Sequence, residues 1–112
     1  MKVNVAHNGN VFVKDVQIAD NFWLKLTGYM FRPKPHVPGI LFDTNSIQTT
    51  FMSFDLDLVF LDKESRVVKV IRNIKPWRFT KFYFKAKKTL ELPVGLLPAD
   101  LKEGDVLEVI YV

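Results

Sequence analysis

Six residues from three short motifs carry the functional groups of a ligand-binding site. An aspartate beside an arginine has its ionised form favoured, and two arginines can bind a carboxylate or a phosphate through bidentate hydrogen bonds. We therefore predict a pocket for a small anion or for an acidic surface of a partner, in which Asp57 orients the arginines and Trp77 forms an apolar wall. The alternative is an Asp–Arg pair that only ties loops together. The set is Arg32, Gln48, Thr49, Asp57, Trp77 and Arg78.

A second candidate surface is the basic segment between Ser65 and Leu90, which holds nine lysines and arginines and no acidic residue. Aromatic residues interleave with these charges, a composition typical of surfaces that neutralise phosphates and stack bases. The alternative is that Phe82 and Phe84 face the core and the lysines are a solvated face, because no recognisable nucleic-acid-binding motif is present. The residues predicted for nucleic-acid binding are Arg72, Lys75, Lys81, Lys85, Lys87 and Lys88.

The sequence supports a catalytic function less than it supports either binding function. The chain has no cysteine, which excludes thiolate nucleophiles, disulfides and cysteine-based zinc sites. His7 and His36 are predicted to be exposed in a turn and a loop. Asp55 and Asp57 would share a strand face about 7 Å apart, so a small hydrolase using Asp57 stays a third alternative. We predict no metal and no cofactor, and a non-catalytic role is favoured.

The elements that must position these residues are mostly short strands. Length and composition predict one domain over residues 1–112, and no apolar run approaches the roughly 20 residues of a membrane span. The polar start lacks a signal peptide, so a cytoplasmic location with no membrane partner is expected. A helix is predicted from Val16 to Leu26, with Asp15 as N-cap and Gly28 as the stop. Strands are predicted at residues 2–6, 11–13, 40–42, 47–54, 58–61, 67–71, 82–84, 89–92 and 106–111.

Many short strands with turn signals and one helix predict a mostly β fold, barrel-like or sandwich-like and largely antiparallel. Glu91 alternates with Leu90 and Leu92, so it should face away from both leucines, where it could pair with an arginine of the candidate pocket. Met30 and Met52 are predicted to fill the core.

Three stretches resemble the DUF192 family of small prokaryotic proteins without an assigned function. They are residues 26–32 (LTGYMFR), residues 47–62 (IQTTFMSFDLDLVFLD), and residues 90–95 (LELPVG) with Gly104-Asp105. The sequence is most similar to a branch with an Ile-His-Thr motif and a downstream Pro-Trp-Arg. The resemblance implies a compact β fold with one helix. Gln48 stands where that branch carries His, so any proton transfer or metal binding by an imidazole there would be lost.

Overall fold

The computed structural model describes residues 1–112, apart from the side chain of Phe22. The chain forms seven strands and one short helix. No helix of the described residues is long and apolar enough to cross a membrane. In chain order the elements are β1 (Lys2–His7), β2 (Asn10–Ile18), α1 (Phe22–Thr27), β3 (Ile40–Phe42), β4 (Leu56–Leu61), β5 (Val67–Ile74), β6 (Lys88–Pro93) and β7 (Leu107–Tyr111).

The seven strands belong to one sheet with the order β5-β4-β6-β3-β2-β1-β7, curled into a half-barrel. Strands β2 and β3 pair in parallel, and the other named neighbours pair antiparallel. At one end the two edge strands meet, because Arg66 and Val106 form a bridge and the Val67 N–H donates to the Asp105 carbonyl at 2.7 Å. The predicted mostly β, largely antiparallel, barrel-like fold is confirmed.

The helix begins later than predicted. Residues 16–18 complete β2, since the β-branched Val16 and Ile18 favour a strand. Asp15, expected to be the N-cap, instead lies in an irregularity of the β1–β2 pairing at φ 58°, where its N–H donates to the Asn4 side chain at 3.0 Å. Asn21 is the N-cap of α1, and its side chain accepts the Leu24 N–H at 2.8 Å. Gly28 ends the helix as predicted.

The strands predicted at residues 47–54 and 82–84 do not form. These residues lie in two loops, residues 43–55 and 75–87, that hydrogen-bond to each other irregularly. The Thr80 N–H donates to the Ile47 carbonyl at 2.9 Å, and Gln48 forms an isolated bridge with Phe79. The Tyr83 N–H donates to the Asn45 carbonyl at 3.0 Å, so the loops run antiparallel. The two loops therefore form a layer outside the sheet.

The sheet is buried on both faces at its centre. A first core contains residues from all seven strands and fills the half-barrel, with Val59, Leu61, Leu90 and Leu92 pointing into it. A second core lies on the other face, where the two loops and α1 cover the alternate residues of the central strands. Because side chains alternate along a strand, Glu91 points to the second core, between its register partners Ile40 and Leu58. It therefore faces away from both leucines, as predicted.

Candidate functional site

Thr49 joins the two loops that cover the sheet, and it brings two further predicted site residues together. Its side chain is 1% exposed, and its hydroxyl donates to the Lys75 carbonyl at 2.7 Å and accepts the Arg78 N–H at 2.9 Å. The Thr49 carbonyl accepts the Trp77 N–H at 2.9 Å. One buried threonine thus fixes the backbone of the Pro-Trp-Arg motif.

Replacing Thr49 with valine keeps the shape of the side chain but leaves the Arg78 N–H and the Lys75 carbonyl without their partner. We expect the Thr49→Val variant to lose about 2 kcal/mol of unfolding free energy, measured by urea denaturation. The control is Thr27→Val, because the Thr27 hydroxyl donates at 2.7 Å to the Trp23 carbonyl of the exposed helix. Equal losses in the two variants would contradict the proposed function of Thr49 as a loop tie.

Three exposed aromatic rings contact one another beside this tie. The side chains of Phe31, Phe51 and Trp77 are 68%, 49% and 56% exposed. The ring centroids of Phe31 and Phe51 lie 4.9 Å apart, and those of Phe51 and Trp77 lie 4.8 Å apart. We name these three residues the aromatic cluster.

The backbone of the aromatic cluster is strained. Phe31, Phe51 and Trp77 have φ angles of 60°, 59° and 64°, a region that bulky side chains rarely adopt. Each such residue costs about 1–3 kcal/mol, and strain of this kind tends to collect at functional sites. The Phe31 N–H donates to the Phe51 carbonyl at 2.9 Å, which ties the end of the helical region to the loop of Thr49. The fold is thus destabilised by a backbone conformation that leaves three rings exposed to solvent.

Further aromatic residues project from the loop that follows Trp77. Phe79, Phe82 and Phe84 are strongly exposed and form what we call the aromatic arm. The expectation that Phe82 and Phe84 face the core is wrong, because this segment is a loop to which strand alternation does not apply. Tyr83 packs inward instead, with its ring centroid 4.6 Å from that of Phe60.

The structure does not bring Asp57 to the arginines. Asp57 is 2% exposed, and its carboxylate accepts the Asn73 N–H at 2.9 Å and the Gly95 N–H at 3.4 Å. Within the described part of the chain, no ion pair joins Asp57 to an arginine. The Arg78 guanidinium donates to the Pro76 carbonyl at 3.3 Å. The prediction that Asp57 orients Arg32 and Arg78 is therefore wrong. Asp57 instead binds the backbone N–H groups of residues 73 and 95.

Arg32 directly follows Phe31 of the aromatic cluster and lines a shallow groove beside α1. His36 lines the same groove and is exposed, as predicted. Burial, and secondly the charge of Arg32, lowers the pKa of His36. Arg32, which was predicted to line the anion pocket, therefore lies between α1 and the aromatic cluster.

The residues predicted to bind nucleic acid are dispersed. The Arg72 guanidinium donates to the Pro98 carbonyl at 2.6 Å, and the Lys75 ammonium lies 2.7 Å from the Asp55 carboxylate. The Lys88 ammonium donates to the Ser65 hydroxyl at 2.8 Å. The other three, Lys81, Lys85 and Lys87, are exposed in or beside the aromatic arm.

His7, predicted to be exposed, is 6% exposed at the end of β1. Its Nε2 atom lies 3.1 Å from the Asp105 carboxylate, so the imidazole helps to join β1 to the turn before β7. The pKa of Asp105 is lowered, chiefly by the Lys102 N–H and also by His7. Across the described residues, no group of three or more His, Asp or Glu side chains is arranged to hold a metal ion.

A pocket of about 260 Å³ opens between α1, the 43–55 loop and the second core. Its apolar walls include Phe42, Ile47 and Met52, and Gln48 contributes a polar edge. The Gln48 side-chain carbonyl accepts hydrogen bonds from the N–H and the hydroxyl of Thr50, so this position bonds within its own loop. Met52 is 7% exposed, which confirms its core role.

Glu91 is the acidic group on the buried side of this pocket, and it is 6% exposed. Burial raises the pKa of its carboxyl group to about 8. No described residue donates a hydrogen bond to this carboxyl group or forms an ion pair with it. The prediction that Glu91 pairs with an arginine is therefore wrong. Every fully buried side-chain nitrogen or oxygen of the described residues has a partner. The Glu91 oxygens must therefore reach the open volume of the pocket.

Tyr29 separates the pocket from the proline-rich loop at residues 32–39. It is 1% exposed, and its hydroxyl donates to the Val37 carbonyl at 2.9 Å. Burial, and secondly the charge of Glu91, raises the pKa of the Tyr29 phenol. Tyr29 and Glu91 line the same pocket.

The sequence profile of the family DUF192, described as an uncharacterized group, matches residues 3–109. The chain belongs to the DUF192 family. A UPF0127 protein of Pyrococcus abyssi is 37% identical over 99 residues, which cover 83% of this chain and 84% of the relative. A UPF0127 protein of Pyrococcus furiosus is 33% identical over 100 residues, covering 84% and 85%.

The same fold occurs in a crystal structure of a protein of unknown function from Novosphingobium aromaticivorans. The TM-score is 0.75 at 22% identity, with 96% of this chain and 84% of that chain covered. Five residues from the stretches that resemble DUF192 line the pocket: Gly28, Met30, Gln48, Met52 and Glu91.

Proposed function

We propose that this DUF192 protein is a non-catalytic binding module that recognises an acidic surface of a partner protein. Its docking face comprises the aromatic cluster together with Arg32, Arg78 and Lys81. The observation that carries the proposal is the strained presentation of Phe31, Phe51 and Trp77. A fold gains nothing for its own stability from holding three bulky residues at positive φ with their rings exposed.

The composition of the docking face fits a protein partner. Contiguous exposed apolar patches on small proteins often mark interaction sites. Aromatic residues and arginine are enriched at the centre of protein interfaces and contribute most of the binding energy. Phe31, Phe51 and Trp77 supply the aromatic centre, and Arg32 and Arg78 directly follow two of them in sequence.

The charge around the docking face favours an acidic partner. Residues 75–88 include six lysines and arginines and no acidic residue. Of these, Lys75 is paired with Asp55, whereas Arg78, Lys81 and Lys85 are exposed beside aromatic residues. Complementary charge accelerates association and excludes basic partners.

Nucleic acid fits this face less well. Single strands bind by stacking successive bases on separate aromatic faces, whereas Phe51 is already stacked on Phe31 and meets Trp77 at an interplanar angle of 61°. Arg72 and Lys88, predicted to contact phosphates, donate to acceptors of the protein itself. The rings therefore form one joined patch rather than a row of stacking platforms.

The test uses two fluorescent probes, a glutamate-rich peptide with a central pair of leucines and an oligothymidine of equal charge. Fluorescence anisotropy should show that the peptide binds, and Trp77→Ala should weaken its binding by about tenfold or more. Arg78→Ala should weaken binding chiefly at low salt. The control is Tyr111→Ala, which removes a ring that is 67% exposed on edge strand β7.

Two results would contradict the proposal. If the peptide bound the Trp77→Ala and Tyr111→Ala variants equally well, or bound none of the proteins, the aromatic cluster would not be a docking face. If the oligothymidine bound with a steep salt dependence and the peptide did not, the nucleic-acid alternative would take its place.

A further inference from the structure

We infer that the pocket beside α1 is a binding site for a small amphipathic primary amine, whose ammonium group pairs with the carboxylate of Glu91. This site is separate from the docking face proposed above. Glu91 is more than nine-tenths buried on the outer face of a central strand. A buried carboxyl group normally has hydrogen-bond partners, and Glu91 has none among the described residues.

No cationic side chain of the described residues pairs with the Glu91 carboxyl group. Lys25 lines the pocket, yet it forms no ion pair with Glu91 in the described structure. Gln48 also lines the pocket, but its carbonyl oxygen accepts from Thr50 of its own loop. The carboxyl oxygens of Glu91 therefore open to a space that a ligand donor can enter.

The chemistry of the walls selects the class of ligand. An anion would lie beside the exposed Asp43 at the same pocket, and its charge would oppose ionisation of Glu91. A fully hydrophilic cation would lose its hydration against Phe42, Ile47 and Met52 without compensation. An ammonium group on a short apolar chain matches both the acidic residues and the apolar walls of the pocket.

The size of the pocket limits the length of that chain. A volume of about 260 Å³ lies just below the range of pockets that hold drug-sized molecules. Butylamine-sized ligands are therefore suitable probes, and large polycyclic amines are not.

Binding is coupled to ionisation of the carboxyl group. Burial raises the pKa of Glu91 to about 8, so the empty pocket holds a neutral acid near neutral pH. An entering ammonium group favours the carboxylate, and the displaced proton passes to solvent. Tyr29, Lys25 and Asp43 are the other ionisable groups at the pocket, and the pKa of the Tyr29 phenol is raised, so it stays neutral.

The experiment titrates the full chain with butylamine, butanol and butyrate, which differ in charge but little in shape. Amide resonances of residues 28, 44 and 48, followed by NMR, should shift with butylamine and not with equal concentrations of the other two. Raising the pH from about 6 to about 8 should tighten butylamine binding by up to about tenfold per unit, because the amine stays charged while Glu91 ionises.

Glu91→Gln should weaken butylamine binding by about tenfold or more and abolish its pH dependence. Asp43→Asn, which removes a charge from the same pocket, is the matched control and should retain most of the affinity. The inference would be overturned if butyrate bound as well as butylamine, if no probe shifted the resonances, or if Glu91→Gln bound butylamine like the wild type.

Discussion

Replacing Glu91 with glutamine is expected to raise the unfolding free energy at pH 8 by on the order of 4 kcal/mol while changing it little near pH 5. The two side chains have the same shape, so the packing of the second core is preserved. The difference arises because the native protein must hold an ionised Glu91 in a desolvated site at high pH, whereas glutamine has no charge to desolvate.

The sign follows from the two pKa values. The carboxyl group has an ordinary value of 4.5 and a native value of about 8. Between these values the native state keeps a proton that the unfolded chain has lost, so stability falls as the pH rises. Above about pH 8 both states are ionised and the difference becomes constant. The whole effect therefore develops between pH 4.5 and 8.

Urea denaturation of the wild type and Glu91→Gln at several pH values in this range measures the effect. Glu103→Gln is the control, since Glu103 is exposed in the turn before β7 and should follow the wild type. The pKa values of Asp62 and Asp105 are lowered, so their contributions are lost only in more acidic solution. Parallel pH curves for the wild type and Glu91→Gln would show that Glu91 is not desolvated.

The fold was predictable because alternation and turn residues act locally. Asn8-Gly9 forms the turn between β1 and β2, and β7 follows the turn at Gly104-Asp105, close to the strands predicted at residues 2–6, 11–13 and 106–111. The helix start was not predictable from spacing alone. Apolar residues from Ile18 onward recur at helical intervals, yet Val16 and Ile18 also satisfy strand alternation. The pairing of β2 with β1 and β3, a tertiary contact, decided between the two.

The candidate site was predictable only in part. Alternation gave the direction of Glu91, but a single strand does not reveal that it lies at the centre of a sheet with both faces covered. The sequence also gave no sign that Phe31 and Phe51 would be exposed, because large aromatic residues at positive φ are rare. A Glu between two leucines of a buried strand was the one usable signal for the pocket.

The second large effect is expected from Asp57, whose carboxylate holds the neighbours of β4 on both sides. Along β5, Asn73 adopts a φ of 57° where the pairing shifts register between Leu56 and Leu58. Asp57 accepts the N–H of Asn73 on this side and the N–H of Gly95, just after β6, on the other. A carboxylate can accept both bonds at once, which explains the residue type without any catalytic function.

Asp57→Ala should lower the unfolding free energy by about 3 kcal/mol, because two charge-assisted hydrogen bonds are lost in a buried site. Asp57→Asn should lose roughly half as much, since the amide keeps one acceptor oxygen. Asp55→Ala is the control: its carboxylate pairs at 2.7 Å with the exposed Lys75, and such surface pairs contribute less than about 1 kcal/mol. If Asp57→Ala unfolded at the same urea concentration as the wild type, β5 would hold its bulge without this carboxylate. A functional explanation for Asp57 would then have to replace the structural one.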